Sequence, residues 1–136
     1  YEPQEDYLNL VDDLGIKERV IFFGNFIANE EVKLFFSSCD LVVQPYRTAT
    51  QSGVTQIAYH FGKPMVVTRV GGLPEIVEEG KTGFLSDVNE NSLAEVIDHF
   101  FSLENRSALE ENVLEKAKTL SWDSFSDRLL KFVGEL

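Results

Sequence analysis

Hydroxyl and amide side chains crowd the stretch TATQSGVTQIAY (48–59), between the apolar runs LVVQP (41–45) and MVVT (65–68). A strand-like run ends just before it and a helix-like run leads away from it. Free backbone amides and the positive end of the helix dipole meet at such a junction, which favours an anion. Ser52 and Gly53 let the backbone approach a phosphate closely, with Val54 following in the first turn. The hydroxyls of Thr48, Thr50 and Ser52 and the amide of Gln51 add donors, and Arg47 is the nearest cation. The alternative reading is that Thr50 or Ser52 caps the helix and the rest is solvated loop.

A second loop, VGGLPEIV (70–77), sets a glycine pair before a proline. Structurally it is a tight turn with Pro74 at the first helical position and Glu75 near the positive helix end. Functionally, its exposed amides are placed to face a ligand. His60 and His99 fall on different predicted helices, and no Cys and His spacing suggests a metal site. Asp87, Asn89 and Glu90 lack the spacing of a calcium loop. The chain has no phosphate-loop lysine pattern, nucleophile elbow or dinucleotide glycine fingerprint. No catalytic residue is assigned. Trp122, Phe125 and Leu129 follow helical spacing and read as packing positions rather than a stacking platform.

The elements that must position these loops alternate. Residues 4–14 place Tyr7, Leu8, Leu10, Val11 and Leu14 on one helical face, with Gly15 as the stop. RVIFFG (19–24) predicts a first strand buried on both faces, and Asn29 is placed to cap a helix through Cys39. LVVQP, MVVT and GFLSD (83–87) supply three further strands. From about Asn89 onward the chain reads as three helices. Asn91 or Ser92 with Glu95 resembles a capping box, and Ser121 is placed to cap the closing helix over about 120–136. The predicted fold is therefore α/β: a Rossmann-like parallel sheet of about four strands with helices on both faces. In such sheets ligands sit at the carboxyl ends of the strands.

Composition narrows the function. The 136 residues fit one domain, 1–136, and the opening Tyr1 predicts an excised piece or a processed start. A hydrophobic fraction of 43% and a charged fraction of 26% predict a folded, water-exposed domain with no transmembrane segment and no signal peptide. The net charge of −11 argues against nucleic acid as a partner. It also means that any anionic ligand is held by local devices. A single cysteine, Cys39, excludes an intrachain disulfide and fits a reducing compartment, hence a cytoplasmic location. Its setting between helix and strand predicts a buried, unreactive role.

The order of these loops resembles a known family. RVIFFGNFIANEEVKLFFSSCDLVVQPY, then GVTQIAYHFGKPMVVTRVGGLPEIVEEGKTGFL, then LSWDSFSDRLLKF is similar to the carboxyl-terminal, donor-binding part of a family 4 (group 1) glycosyltransferase with the GT-B fold. The resemblance runs from about Arg19 to Phe132. It implies a sugar transferred from a nucleoside-diphosphate sugar to an acceptor hydroxyl, with retention. It also implies a base near Gly24, Asn25 and Phe26, and a diphosphate over the helix that begins near Ser52 and Gly53.

The family's two glutamates, eight positions apart, contact sugar and ribose; here those positions fall on Ala49 and Ile57. Thr50, Gln51, Ser52 and Gln56 are left as substitutes for the glutamates, with Arg47, Gly71 and Gly72 as further candidate sugar or ribose contacts. No cofactor is implied, because the sugar nucleotide is a substrate and the family mechanism needs no metal. The acceptor, a sugar or lipid-linked glycan, would be held by an amino-terminal domain, with peripheral membrane contact open to the parent. The isolated chain is then expected not to turn over. The competing readings are a nucleotide-sugar-binding domain that has lost catalysis with its glutamates, and a GT-B epimerase.

Overall fold

The computed structural model describes residues 4–134. Residues 1–3 and 135–136, which include Tyr1 and the end of the predicted closing helix, lie outside them. The chain divides into two compact units, Tyr1–Val32 and Lys33–Leu136.

In the first unit, α1 (Gln4–Asp13) forms as its apolar spacing predicts. Gly15 ends it at φ 65°, where the Gly15 amide donates to Asp12 O (3.0 Å) and the Ile16 amide to Val11 O (3.1 Å). Only Val11 of the predicted apolar face is buried, while Tyr7, Leu8, Leu10 and Leu14 stay exposed. The predicted strand at 19–24 does not form. A 3₁₀ turn occupies Lys17–Arg19 and the rest has no regular structure, with Ile21 79% exposed. A strand of a parallel sheet needs a backbone ladder to a neighbour, and residues 20–24 find none among the described residues. α2 (Asn29–Ser38) starts one residue earlier than predicted, with Asn29 already helical. Ala28 precedes it, and the Glu31 carboxylate accepts from the Ala28 amide (3.4 Å), which is half of a capping box.

The second unit holds a parallel sheet of β1 (Val42–Gln44), β2 (Met65–Thr68) and β3 (Gly83–Ser86), in that order. Val43 pairs with Val66, and Val66 with Phe84. Three strands thus stand where about four were predicted. α3 (Gly53–His60) joins β1 to β2, and the single turn α4 (Leu73–Ile76) joins β2 to β3. α5 (Glu90–Ser102), α6 (Ser107–Thr119) and α7 (Trp122–Gly134) follow. No helix among the described residues is long and apolar enough to cross a membrane.

Strand alternation sorts the core into two layers. Met65, Val67 and Leu85 face Ala58 and Tyr59 of α3, Leu73 of α4, Val77 and Val113 of α6. Val66 and Phe84 face Phe100 of α5 and Leu109 of α6. Both faces of the sheet are covered at β2 and β3, whose strands accordingly read as apolar runs, whereas Val43 of β1 is 37% exposed. Each Val, Leu, Met or Phe among them contributes about 1.5–3 kcal/mol when fully buried. Gly83 is required within β3, because a Cβ there would stand 2.0 Å from Met65 O of β2.

The caps shift by a residue or more from their predicted places. α5 is capped by Asn89, whose side chain accepts from the Ser92 amide (2.8 Å), and Ser92 Oγ turns outward to accept from the Asp87 amide (3.0 Å). Leu73, not Pro74, is the first residue of α4. Ser121 caps α7 as predicted, accepting from the Ser124 amide at 3.2 Å. The packing role predicted for Trp122, Phe125 and Leu129 is not realised among the described residues, since α7 buries none of its side chains. Helical spacing marks a face as apolar without naming what covers it.

A buried polar chain ties α3 to the β3 side. Tyr59 Oη donates to Ile76 O (2.6 Å) and meets Thr82 Oγ1 (3.0 Å), which accepts from the Glu78 amide (2.9 Å). Burial raises the Tyr59 phenol above its ordinary value of 10.0, and the Thr82 hydrogen bond opposes this only in part. Tyr59→Phe should leave Ile76 O without its buried donor and cost about 1–3 kcal/mol in urea unfolding. The folded phenol holds its proton more tightly than the unfolded one. Stability is therefore complete below pH 10.0 and falls as pH climbs from there toward the raised folded value. The variant should lack that alkaline loss, and a wild-type stability that is flat above pH 10.0 would contradict the assignment.

Candidate functional site

The loop after β1 is held open at the start of α3 by side chains that point away from the helix end. Gln44, 2% exposed, exchanges hydrogen bonds with Thr55 Oγ1 (3.3 and 3.4 Å), fixing the last residue of β1 to the first turn of α3. Thr68 Oγ1, at the end of β2, donates to Tyr46 O (2.6 Å). Tyr46 Oη in turn lies 3.4 Å from Ser52 Oγ.

Ser52 occupies the N-cap position with extended backbone, yet its hydroxyl makes no cap hydrogen bond. The capping alternative therefore fails for Ser52, because Tyr46 has taken the hydroxyl. The Thr55 amide donates to Ser52 O (3.2 Å), whereas the Gly53 and Val54 amides meet no acceptor among the described residues. Two open donors at the positive end of an eight-residue helix are the kind of group that favours an anion without a cationic side chain. A Cβ at Gly53 would meet nothing within 4 Å, so the approach to these amides is open.

The glycine pair after β2 closes on this loop. Gly71 has φ 52°, and a Cβ there would lie 1.7 Å from Ala49 O. The Gly72 amide donates to Thr50 O at 2.8 Å. Gly71 and Gly72 thus bring the two sequence-predicted loops together by backbone contact. Ala49, one of the two positions where the family carries glutamate, is half-buried and packs against the core cluster beneath. Ile57 is also half-buried.

The other candidates distribute between two clefts. Arg47 lines one of about 230 Å³ with Pro45, Thr68, Asn89 and Glu90. Gln51 and Gln56 line another, of about 590 Å³, with Trp122, Phe125 and Arg128. Gly24, Asn25 and Phe26 belong to the first unit, where Gly24 abuts the Gln4 side chain and Phe26 is 92% exposed. Cys39 is half-buried, and burial pushes its thiol up. Glu78 is held below the usual carboxylate range by its hydrogen bond to Lys116, a surface link between the chain after α4 and α6. Among the described residues no group of three His, Cys, Asp or Glu side chains is placed to hold a metal ion.

Sequence reasoning missed Gln44, Tyr46 and Thr68 as the loop's supports. The visible signal was a polar residue ending an otherwise apolar strand, Gln44 in β1 and Thr68 in β2. The glycine contact is open to a controlled test. Gly80→Ala also changes a positive-φ glycine (72°) but has nothing within 4 Å, so it should cost only about 1–2 kcal/mol of left-handed strain. Gly71→Ala adds the collision with Ala49 O and should cost about 1–3 kcal/mol more in urea unfolding. Equal losses would show that the two loops are not in close contact.

Comparison with known proteins places this geometry. The family model described as glycosyl transferases group 1 matches residues 1–102. D-inositol 3-phosphate glycosyltransferase of Corynebacterium efficiens is 30% identical over 136 residues, covering 96% of this chain and 31% of that protein. The protein of the same name in Mycobacterium tuberculosis is 32% identical over 127 residues, covering 90% of this chain and 26% of its own length. The chain therefore spans about a third or less of the relatives it matches. Among solved structures, sucrose-phosphate synthase of Thermosynechococcus elongatus superposes with a TM-score of 0.80 at 24% identity, over 96% of this chain and 33% of that one. HepE of Anabaena, solved in complex with UDP, gives 0.77 at 26% identity over 97% of this chain and 36% of that one. HepE has also been solved with UDP-glucose. With a parallel sheet, an open helix start after β1 and a family match over most of its length, the chain belongs to the group 1 glycosyltransferases.

Proposed function

We propose that the chain is the carboxyl-terminal part of the donor-binding domain of an enzyme that moves a sugar from a nucleoside-diphosphate sugar to an acceptor hydroxyl, with retention. The observation that carries this reading is the pair of open amides, Gly53 and Val54, at the start of α3. The diphosphate lies over them, with Thr50, Gln51 and Ser52 around it, and the base lies near Gly24, Asn25 and Phe26. HepE, the relative solved with UDP and with UDP-glucose, supports a uridine nucleotide as the first to test.

The chemistry asked of this part is leaving-group stabilisation. As the bond from the anomeric carbon to the diphosphate oxygen breaks, negative charge grows on the diphosphate. Fixed amide dipoles already aimed at that charge need no reorganisation as it develops. The chain's net charge of −11 makes such local donors necessary. No metal is required in this scheme. The acceptor, a sugar or a lipid-linked glycan, is held by another part of the parent, which works in the cytoplasm and is open to peripheral membrane contact. This chain alone binds donor without turnover.

A second reading, a binding domain without catalysis, is favoured by Ala49 and Ile57, whose side chains offer neither sugar nor ribose a hydrogen bond. Both readings share the diphosphate site, so titration calorimetry with UDP tests them together. Gly53→Glu puts a carboxylate beside the amides in open space and should weaken UDP at least about tenfold, or 1.4 kcal/mol, with the fold intact. Ser52→Glu should act in the same direction, and EDTA should change nothing. Unchanged affinity in both variants would remove the diphosphate from this helix. Product formation by the full-length parent separates transferase from binding domain.

A further inference from the structure

The open amides at the start of α3 have an internal competitor. Ser52 sits at the N-cap position with extended backbone (φ −132°, ψ 124°). From there a serine hydroxyl ordinarily accepts from the amide of the second or third helical residue. In α3 those residues are Val54 and Thr55. The Thr55 amide already donates to Ser52 O at 3.2 Å, which leaves the Val54 amide as the donor a capping hydroxyl would take. A hydroxyl that caps and a phosphate that binds therefore seek the same N–H, and every molecule in the capped state is lost to the ligand.

Tyr46 decides this contest. Its Oη lies 3.4 Å from Ser52 Oγ, and among the described residues no other group meets that hydroxyl. Ser52 is only 9% exposed, so without the phenol its hydroxyl has little water to turn to. At 3.4 Å the contact is long for two hydroxyls and holds little energy; what it supplies is direction. Tyr46 is itself pinned, because Thr68 Oγ1, at the buried end of β2, donates to its carbonyl at 2.6 Å. Gln44 treats the other hydroxyl of the first turn in the same way, engaging Thr55 Oγ1 from the last residue of β1. Both hydroxyls are thus drawn toward the β1 side and away from the amides.

We propose that Tyr46 is a positioning residue for the phosphate site: by engaging Ser52 it keeps α3 from capping itself and holds the Val54 amide open for the diphosphate. The proposal rests on the diphosphate assignment and adds the group that keeps its donors available. Tyr46 touches no phosphate in this role and acts through Ser52.

Tyr46→Phe keeps the ring and removes only the hydroxyl. Ser52, deprived of its partner, should then turn to the Val54 amide. Without nucleotide, hydrogen exchange of the Val54 amide in the 136-residue chain, read by NMR, should slow about fivefold in the variant, whereas a merely loosened fold would speed it. With UDP, calorimetry should show affinity about fivefold weaker, set by the population of the capped state that excludes the ligand. In a Ser52→Ala background, where no hydroxyl is present to cap, Tyr46→Phe should change neither quantity. Unchanged Val54 exchange or unchanged UDP affinity in Tyr46→Phe overturns the proposal. So does a loss of affinity of the same size in the Ser52→Ala background, which would make Tyr46 a direct contact or a general support. If the wild-type chain binds no UDP, the diphosphate assignment fails by itself and Val54 exchange alone judges Tyr46: slowing in Tyr46→Phe upholds its hold on Ser52, and no slowing overturns it.

Discussion

Everything proposed for this chain depends on one close approach of backbone to backbone, where the turn after β2 closes on the loop after β1. The Gly72 amide meets Thr50 O at 2.8 Å, and Gly71 leaves no space for a Cβ beside Ala49 O. The loop so held determines where α3 begins. Gln44 and Tyr46 brace it from below, drawing the Thr55 and Ser52 hydroxyls away from the helix end. What remains there is a pair of amides with no acceptor among the described residues. A helix start usually recruits a side chain to cap itself, and this one diverts its N-cap hydroxyl elsewhere.

That arrangement answers an electrostatic difficulty. A chain of net charge −11 repels phosphates at long range, and salt weakens but does not reverse the repulsion. Amide dipoles act within the first turn and do not titrate, so they hold an anion locally without changing the global balance. Arg47 lines the cleft toward α5, and Arg69 is engaged by Glu79 (3.4 Å) and Asp87 (3.9 Å) on the β3 side. The proposed anion site therefore rests on backbone donors, whose geometry the fold sets.

Much of the second unit was legible in the sequence. LVVQP, MVVT and GFLSD became strands because apolar runs bounded by polar turns have few other places to go in a parallel sheet. The helix start at Ser52 and the turn at Gly71 were visible for the same local reasons. What could not be read was what depends on partners. RVIFFG has a strand's composition and, among the described residues, no strand beside it. Trp122 and Phe125 have a buried face's spacing and remain exposed. Caps shifted because one hydroxyl can serve several neighbours: Ser92, expected to cap α5, instead takes the Asp87 amide while Asn89 caps. The pairing of the two loops was invisible as well, since a glycine announces freedom and not what it approaches.

The diphosphate assignment makes a direct demand on two backbone atoms. Amide proton and nitrogen shifts of the labelled chain, followed during titration with a nucleoside diphosphate, report each donor separately. The Gly53 and Val54 amides should move furthest and saturate together along one binding curve. Saturable binding that leaves those two amides unmoved, with its largest shifts elsewhere, would contradict the account.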